Sequence, residues 1–337
     1  MEIKENISLQ SLHSFGCNEK ANYFAKIDSN EAIEKCIQWA KEKDIPYFIL
    51  GAGSNILFTK TFEGLVLKME IIGIKKIKET ASEVFLEVGA GENWHHFVSY
   101  CVQKGWGGVE NLSLIPGTVG AAPIQNIGAY GVEAKDSIAS VTAYDTQSAQ
   151  FIILQNSDCA FGYRTSLFKK DTNRYIISSV QFVLQKQPIF RTEYGAIKEV
   201  LHQKNNKQAS LDAIANAVIQ IRSEKYPHPQ KLGNAGSFFK NPTVTKAIFE
   251  TLIAAYPKII AYPITDNTYK IAAGWLIEDC GWKGKQKGNV GCYEKQSLVI
   301  VHYNNGPGIE IFNFSEEIIQ SALSKFGILL EREVVIY

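Results

Sequence analysis

Apolar positions recur along this chain with a period that changes from one stretch to the next. Between Glu31 and Lys43, Ala32, Ile33, Cys36, Ile37 and Ala40 share one face at helical spacing, and Ser29 or Asn30 can cap the first turn, so a helix is predicted there. The short apolar run YFIL at 47–50 reads as a buried strand and is followed by the turn GAGSN and a second run, LVLKM at 65–69. Residues 1–70 therefore read as a small α/β unit. From 71 to about 187 strand patterns dominate: VFLEVGAG, SVTAYD, QFIIL and RYIISSVQFVL. One helix interrupts them over 93–104, with Trp94, Phe97, Val98 and Cys101 as its apolar stripe and Gly105 as its stop. A further helix is predicted from Ser210, with Leu211, Ile214, Ala215, Val218, Ile219 and Arg222 on one side. YPHPQ at 226–230 ends it, because proline cannot continue the helical ladder. Beyond it, helical patterns near 244–255, 272–279 and 315–325 alternate with SLVIVHY at 297–303. They predict a third, α/β domain over 210–328. The closing EVVIY reads as a strand returning to an earlier sheet.

Length and composition narrow the class. At 337 residues the chain exceeds what one core ordinarily supports, and 45% hydrophobic with 20% charged residues is ordinary for a globular protein. Thirty-five basic against 34 acidic residues leave no electrostatic footprint for nucleic acid or an anionic membrane. The short run Lys75, Lys76 and Lys78 reads as a solvated strand face. The charged start MEIKENISLQ is neither signal peptide nor anchor. The uncharged stretch around 111–132 is too rich in glycine, proline and amides to span lipid. Six cysteines without CxxC spacing suggest free thiols in a reducing cytosol, with no disulfide and no metal site expected. The adjacent pair His95–His96 cannot converge on one ion from a helix.

Candidate chemistry lies in the turns. GAGSN (51–55), GAGENW (89–94) and IPGTVGAAPIQNIGAYG (115–131) each follow a strand-like run, and glycine lets backbone amides approach an anion closely. GAGSNI lacks the third glycine of a dinucleotide fingerprint, and no GK[ST] makes it a P-loop. The 115–131 segment is too irregular for a helix and too apolar for a surface loop. A backbone sheath around a large flat or pyrophosphate-bearing cofactor accounts for it, and an internal irregular loop is the alternative. FGYRTS carries Tyr163 and Arg164. KLGNAGSFFKNP (231–242) places Ser237 beside Phe-Phe without the GxSxG frame of a hydrolase serine. LEREV at 330–334 alternates glutamates with apolar residues in a strand-like frame.

The order of these pieces is distinctive: GAGSNILF, GAGENWHH, ENLSLIPGTVGAAPIQNIGAYGVE, FGYRTSLFK, GNAGSFFKNP, AAGWLIEDCGWKG and LEREV. Together they closely resemble the UDP-N-acetylenolpyruvoylglucosamine reductase family over nearly the whole chain, and IFRTEYGAI at 189–197 is similar to its type I form. The resemblance implies an α+β fold in which a two-domain FAD-binding module of vanillyl-alcohol-oxidase type precedes a third, α/β substrate-binding domain. Its subdomains would be 1–70 and 71–209, the second joined by the strand 329–337, with the substrate domain at 210–328. It implies FAD, NADPH as reducing co-substrate, and reduction of enolpyruvyl-UDP-N-acetylglucosamine to UDP-N-acetylmuramate. With no histidine or cysteine within 115–131 the FAD is expected to be held without a covalent link, and the chain is expected to act as a cytoplasmic monomer.

By the same resemblance, Gly51, Ala52, Gly53, Ser54, Asn55 and Ile56 bind the flavin. So do Ile115, Pro116, Gly117, Thr118, Gly120, Ala121, Gln125, Asn126, Gly128, Ala129, Tyr130 and Gly131. Arg164, Ser237 and Glu333 are the implied catalytic residues, with Ser237 protonating the enolate left by hydride transfer to the vinyl carbon. Tyr163, Arg164, Tyr194, Lys225, Asn241, Tyr262 and Gln296 are the implied substrate contacts. Where many relatives carry an arginine two residues after this glutamate, Val335 stands here, which bears on a peripheral substrate contact. A flavin oxidase of small alcohols would explain the glycine-rich segment but not NAGSFFKNP and LEREV together. A binding protein without turnover would not need Arg164, Ser237 and Glu333.

Overall fold

Two sheets and the helices laid on them carry the first part of the chain. In the computed structural model, which describes residues 2–203, 209–304 and 306–337, the contacts divide the chain into two compact units. The first comprises Met1–Ile7, Ala21–Ala52 and Glu63–Glu224, and the second Ser8–Lys20, Gly53–Phe62 and Lys225–Tyr337.

In the first unit a four-stranded sheet runs in the order Lys4–Ser8, Lys20–Ile27, Phe62–Met69, Tyr47–Leu50. Its last two strands are parallel, with Tyr47 opposite Leu65 and Leu50 opposite Lys68. The helix Asn30–Glu42 is capped by Ser29, whose Oγ accepts from Ala32 N at 3.2 Å, and it buries Ile33, Cys36, Ile37 and Ala40. A five-stranded antiparallel sheet follows in the order Gln150–Gln155, Ile138–Asp145, Tyr175–Gln185, Glu83–Gly89, Ile74–Glu79. The helix Trp94–Gln103 lies on it, with the Phe97 and Phe182 rings 4.5 Å apart and Trp94 Nε1 donating to Leu112 O at 2.9 Å. The edge strand Ile74–Glu79 carries the lysine run, and Lys76 and Lys186 both pair with Glu79. Charged side chains on an exposed edge oppose further strand pairing.

The helix Leu211–Lys225 differs from the expected domain plan. Leu211 and Ala215 join the main core of the first unit, and Ile214, Ala217 and Val218 pack with Ile197, Val200 and Leu201. The latter three lie on a helix at Gly195–Gln203 that the sequence pattern did not reveal.

The second unit is built on a four-stranded sheet, Gly233–Ser237, Val299–His302, Val290–Cys292, Gln286–Lys287, and a three-stranded one, Thr243–Thr245, Thr268–Ile271, Ala261–Thr265. The helix Gly308–Phe326 buries Ile311, Phe314, Ile318, Ile319 and Ala322 in a core with Phe238, Phe239, Leu276 and Ile300. It begins a turn or more before the expected Ser315, because Ile311 and Phe314 continue its apolar face. The terminal strand Val335–Ile336 pairs in parallel with Ile56–Leu57 rather than with a strand of 71–209. Long-range pairing of this kind leaves no periodic signal in either segment. Among the described residues no helix is long and apolar enough to cross a membrane.

Helix Gly308–Phe326 starts so close to Phe58 that a Cβ on Gly308 would stand 1.8 Å from the Phe58 carbonyl oxygen. Overpacking of this kind costs about 1–3 kcal/mol. Gly308→Ala is expected to lose that much stability in urea titration. Gly195→Ala, where a Cβ would meet nothing within 4 Å, is expected to change it by under about 0.5 kcal/mol. Equal effects of the two substitutions would contradict this packing.

Candidate functional site

Three glycine-rich turns that are remote in sequence meet in the first unit. Val119 N donates to Glu92 O and Gly120 N to Ala90 O, both at 2.9 Å, and Trp94 N donates to Gly117 O at 3.1 Å. A Cβ on Gly120 would lie 2.6 Å from that of Ala90, and one on Gly51 would lie 2.8 Å from Thr118 Oγ1. Only glycine permits these approaches, so Gly51, the 89–92 turn and Gly117–Gly120 present bare backbone side by side. Such a surface can follow a flat ring system or turn amides to a pyrophosphate. The Lys68 ammonium holds the Gly51 carbonyl from below.

Other side chains brace the 115–131 segment. Leu114 has φ +56°. Its amide donates to His95 Nδ1 at 3.1 Å and its carbonyl accepts from Arg222 Nε at 3.0 Å. Burial, and secondarily the charge of Arg222, lower the pKa of His95, which keeps Nδ1 a bare acceptor. Asn126 is fully buried and engaged internally: Nδ2 donates to Glu133 Oε2 and Gly162 O, and Oδ1 accepts from Lys135 N. Its side chain thus fixes the loop. The small hairpin Gly128–Ala129 with Val132–Glu133 closes the segment.

Around that hairpin the structure gathers three of the expected substrate residues. Arg164, at φ +53°, donates from Nη2 to Gly128 O at 2.8 Å, and its guanidinium lies 5.4 Å over the Tyr163 ring. The Tyr194 ring meets Tyr130 edge-on at 5.3 Å. Tyr163 and Tyr194 are 43% and 52% exposed, so both rings are open to a ligand.

In the second unit, Ser237 ends the strand Gly233–Ser237 and pairs with Val299. Glu333 N donates to Phe238 O at 2.8 Å, and Asn55 Nδ2 donates to Glu333 O at 3.2 Å. Ser237 and Glu333 therefore sit on adjacent backbones, with the Asn55 turn on the other side of Glu333. Arg332 anchors this stretch by pairing with Glu316, donating to Ser315 Oγ at 2.8 Å and stacking on Phe312 at 4.6 Å. Asn241 Oδ1 accepts from Ala273 N at 3.0 Å, heading the helix Ala273–Asp279. Gln296 Oε1 accepts from Leu298 N at 3.2 Å. Tyr262 stands 55% exposed on its strand, and Lys225 lies 5.8 Å over Tyr226. Tyr262 lies on the strand Ala261–Thr265, Gln296 in the turn before Val299–His302, and Lys225 at the end of the helix Leu211–Lys225. The bracing roles of Lys68, His95, Arg222 and Arg332 were not legible in the sequence, because all four act on backbone or neighbouring side chains brought close only by the fold.

Three buried thiols, Cys101, Cys159 and Cys292, are held in the protonated form. Burial raises Cys159 and Cys292 to about 12 and also pushes Cys101 upward. None offers a thiolate for flavin attachment at neutral pH.

A family model of FAD binding domains matches residues 21–151. One of the UDP-N-acetylenolpyruvoylglucosamine reductase C-terminal domain matches residues 228–337. A UDP-N-acetylenolpyruvoylglucosamine reductase from Amoebophilus asiaticus is 44% identical over 335 residues, 99% of this chain and 99% of its own. One from Pseudomonas putida is 41% identical over 337 residues, 100% of this chain and 99% of its own. The crystal structure of the Thermus caldophilus reductase superposes with a TM-score of 0.70 at 20% identity, covering 100% of this chain and 99% of its own. 6-Hydroxy-D-nicotine oxidase from Arthrobacter nicotinovorans gives 0.51 at 12% identity, covering 97% and 86%. These two likenesses speak to fold alone and agree with the expected α+β, vanillyl-alcohol-oxidase-type FAD-binding architecture. Matched along its whole length at above 40% identity, this chain belongs to the UDP-N-acetylenolpyruvoylglucosamine reductase family.

Proposed function

We propose that this chain reduces the enol ether of UDP-N-acetylenolpyruvoylglucosamine to UDP-N-acetylmuramate, using FAD and NADPH, in peptidoglycan precursor synthesis. The whole-length relationship to reductases of that name carries the reading. We place it in the cytoplasm, acting as a monomer. The backbone at Gly51, Gly117, Thr118 and Gly120 suits a flavin nucleotide, since Gly51 and Gly120 let the glycine-rich turns approach with no Cβ between them. Residues 51–56 and 115–131 would hold FAD there without a covalent link. When bound, the flavin, once reduced by NADPH, would supply a hydride to the vinyl carbon of the substrate.

The chain's own residues must then manage charge and a proton. Negative charge builds on the enolate conjugated with the substrate carboxylate. The planar donor fork of Arg164 suits that carboxylate better than a lysine would. Ser237 gives a proton to the adjacent carbon. Glu333, held by its backbone on both sides, polarises the enol oxygen. Tyr194, Lys225 and Asn241 grip the diphosphate, and Tyr163, Tyr262 and Gln296 add contacts. The Asn241 amide nitrogen serves this role while its oxygen caps the Ala273–Asp279 helix. Val335, 41% exposed, makes no charged contact of the kind an arginine there would make.

Two measurements test these roles. Removing the hydroxyl in Ser237→Ala should leave flavin reduction by NADPH intact and slow reoxidation by the sugar nucleotide about a hundred- to ten-thousand-fold, the usual worth of general acid catalysis. Ser237→Cys should retain more activity. Stopped-flow absorbance separates the half-reactions, and normal reoxidation in Ser237→Ala would leave Ser237 a turn residue. Hydrogen bonds to charged groups are worth about 1.5–3 kcal/mol. Lys225→Ala is therefore expected to raise KM for the sugar nucleotide roughly ten- to a hundredfold with little change in flavin reduction. Equal damage to both half-reactions would remove Lys225 from the diphosphate.

A further inference from the structure

Beside the Gly53 turn, the loop of residues 9–19 closes on itself, with Leu9 N donating to Glu19 O and Ser14 N donating to Gly53 O, each at 2.9 Å. Its interior holds polar groups that the reduction does not use. His13 is 6% exposed, Glu19 7% and Cys17 0%. One donor atom from each of these three residues lies within 4.8 Å of the other two.

Hydrogen bonding leaves this cluster unsatisfied. His13 Nε2 is 3.3 Å from the Cys17 carbonyl, which can only accept, so Nε2 carries the proton and Nδ1 presents a bare lone pair. That Nδ1 has no hydrogen-bond partner. Glu19 Oε1 accepts from Gly308 N at 2.7 Å, at the start of the long helix, while Oε2 has no partner. A bare imidazole nitrogen and a carboxylate oxygen are both acceptors and cannot satisfy one another. Burying both without a donor is costly. A cation satisfies them and a thiolate together.

We propose that His13, Cys17 and Glu19, with a water in the fourth position, bind a divalent zinc ion that staples the 9–19 loop. The donor set selects the metal: one imidazole nitrogen, one sulfur and one carboxylate oxygen suit zinc, whereas magnesium and calcium take oxygen ligands. Bonds of about 2.0–2.3 Å put tetrahedral donors roughly 3.3–3.7 Å apart, so a spread within 4.8 Å closes by small side-chain shifts. The charges balance. Zinc displaces one proton from the Cys17 thiol, and thiolate plus carboxylate neutralise the ion while His13 stays neutral. His302, 3% exposed, supplies an outer partner, with Nδ1 3.1 Å from Phe15 O and 3.8 Å from Cys17 Sγ. Because Glu19 also holds Gly308, the ion would tie the loop to the helix start within the second unit. The sequence reading expected no metal site because His-x3-Cys-x-Glu on a loop matches none of the common zinc spacings.

The test is metal content of the purified flavoprotein. After growth with added zinc and dialysis without chelator, about one zinc per chain is expected by mass spectrometry of the metal. Losing a ligand should cut retention at least about tenfold, in Cys17→Ser and equally in Glu19→Gln, whose amide oxygen can still accept from Gly308. Cobalt(II) added to stripped protein should give tetrahedral bands to the red of the flavin, absent in Cys17→Ser. Should Cys17→Ser fail to fold, Glu19→Gln decides alone. A folded protein that retains no zinc and gives no cobalt bands would overturn the site, as would undiminished zinc in Glu19→Gln.

Discussion

Residues 331–337 make backbone hydrogen bonds first to one and then to another segment far away in the chain. Glu331 O accepts from Lys240 N and Glu333 N donates to Phe238 O, while Val335 N donates to Asn55 O and Tyr337 N to Leu57 O. Leu330 and Val334 are buried in the core at 2% and 4% exposure, and Arg332 pairs with Glu316. Closing loops of this length costs only logarithmically more than closing short ones, and the buried apolar residues offset that cost. The backbones of Ser237 and Glu333 are thereby set side by side, and the Asn55 turn is fixed to the same strip. The roles proposed for these residues depend on this weld more than on any single side-chain contact.

The first unit solves a different problem, how to offer backbone without side chains. Gly51 and Gly120 lie where a Cβ would collide with Thr118 or Ala90, so the cradle requires glycine for steric reasons. Bare backbone is also pliable, and the first unit stiffens it from behind. Lys68 holds the Gly51 carbonyl, while His95 and Arg222 hold the two sides of Leu114. Arg164 is itself tied to Gly128, so the guanidinium proposed to meet the substrate carboxylate is oriented before any ligand arrives. Such preorganisation reduces the entropy lost on binding.

Local elements were legible in the sequence because caps and periodicity are local. The helix Asn30–Glu42 fell within a residue of expectation, and Trp94–Gln103 lay inside its expected limits. What escaped was non-local. Nothing in residues 8–20 or 53–62 shows that they pack with residues 225–337, and nothing in EVVIY names Ile56–Leu57 as its partner. In the site, the uncharged composition of 115–131 pointed to a backbone sheath or an internal loop, and the structure packs its glycines against the turns at Gly51 and 89–92. The roles of Arg164, Ser237 and Glu333 came from resemblance. Asn126 illustrates the limit of motif reading, since its polar atoms serve the loop itself.

The proposed pairing of Ser237 and Glu333 in one proton-transfer step is most directly tested by a double-mutant cycle on flavin reoxidation, with Ser237→Ala, Glu333→Gln and the double variant. Groups that act as a unit are strongly non-additive. The double variant is therefore predicted to reoxidise within about threefold of the slower single variant, a coupling of roughly 2 kcal/mol or more. Losses that multiply would mean that the two residues act in separate steps and that their shared backbone frame has no catalytic consequence.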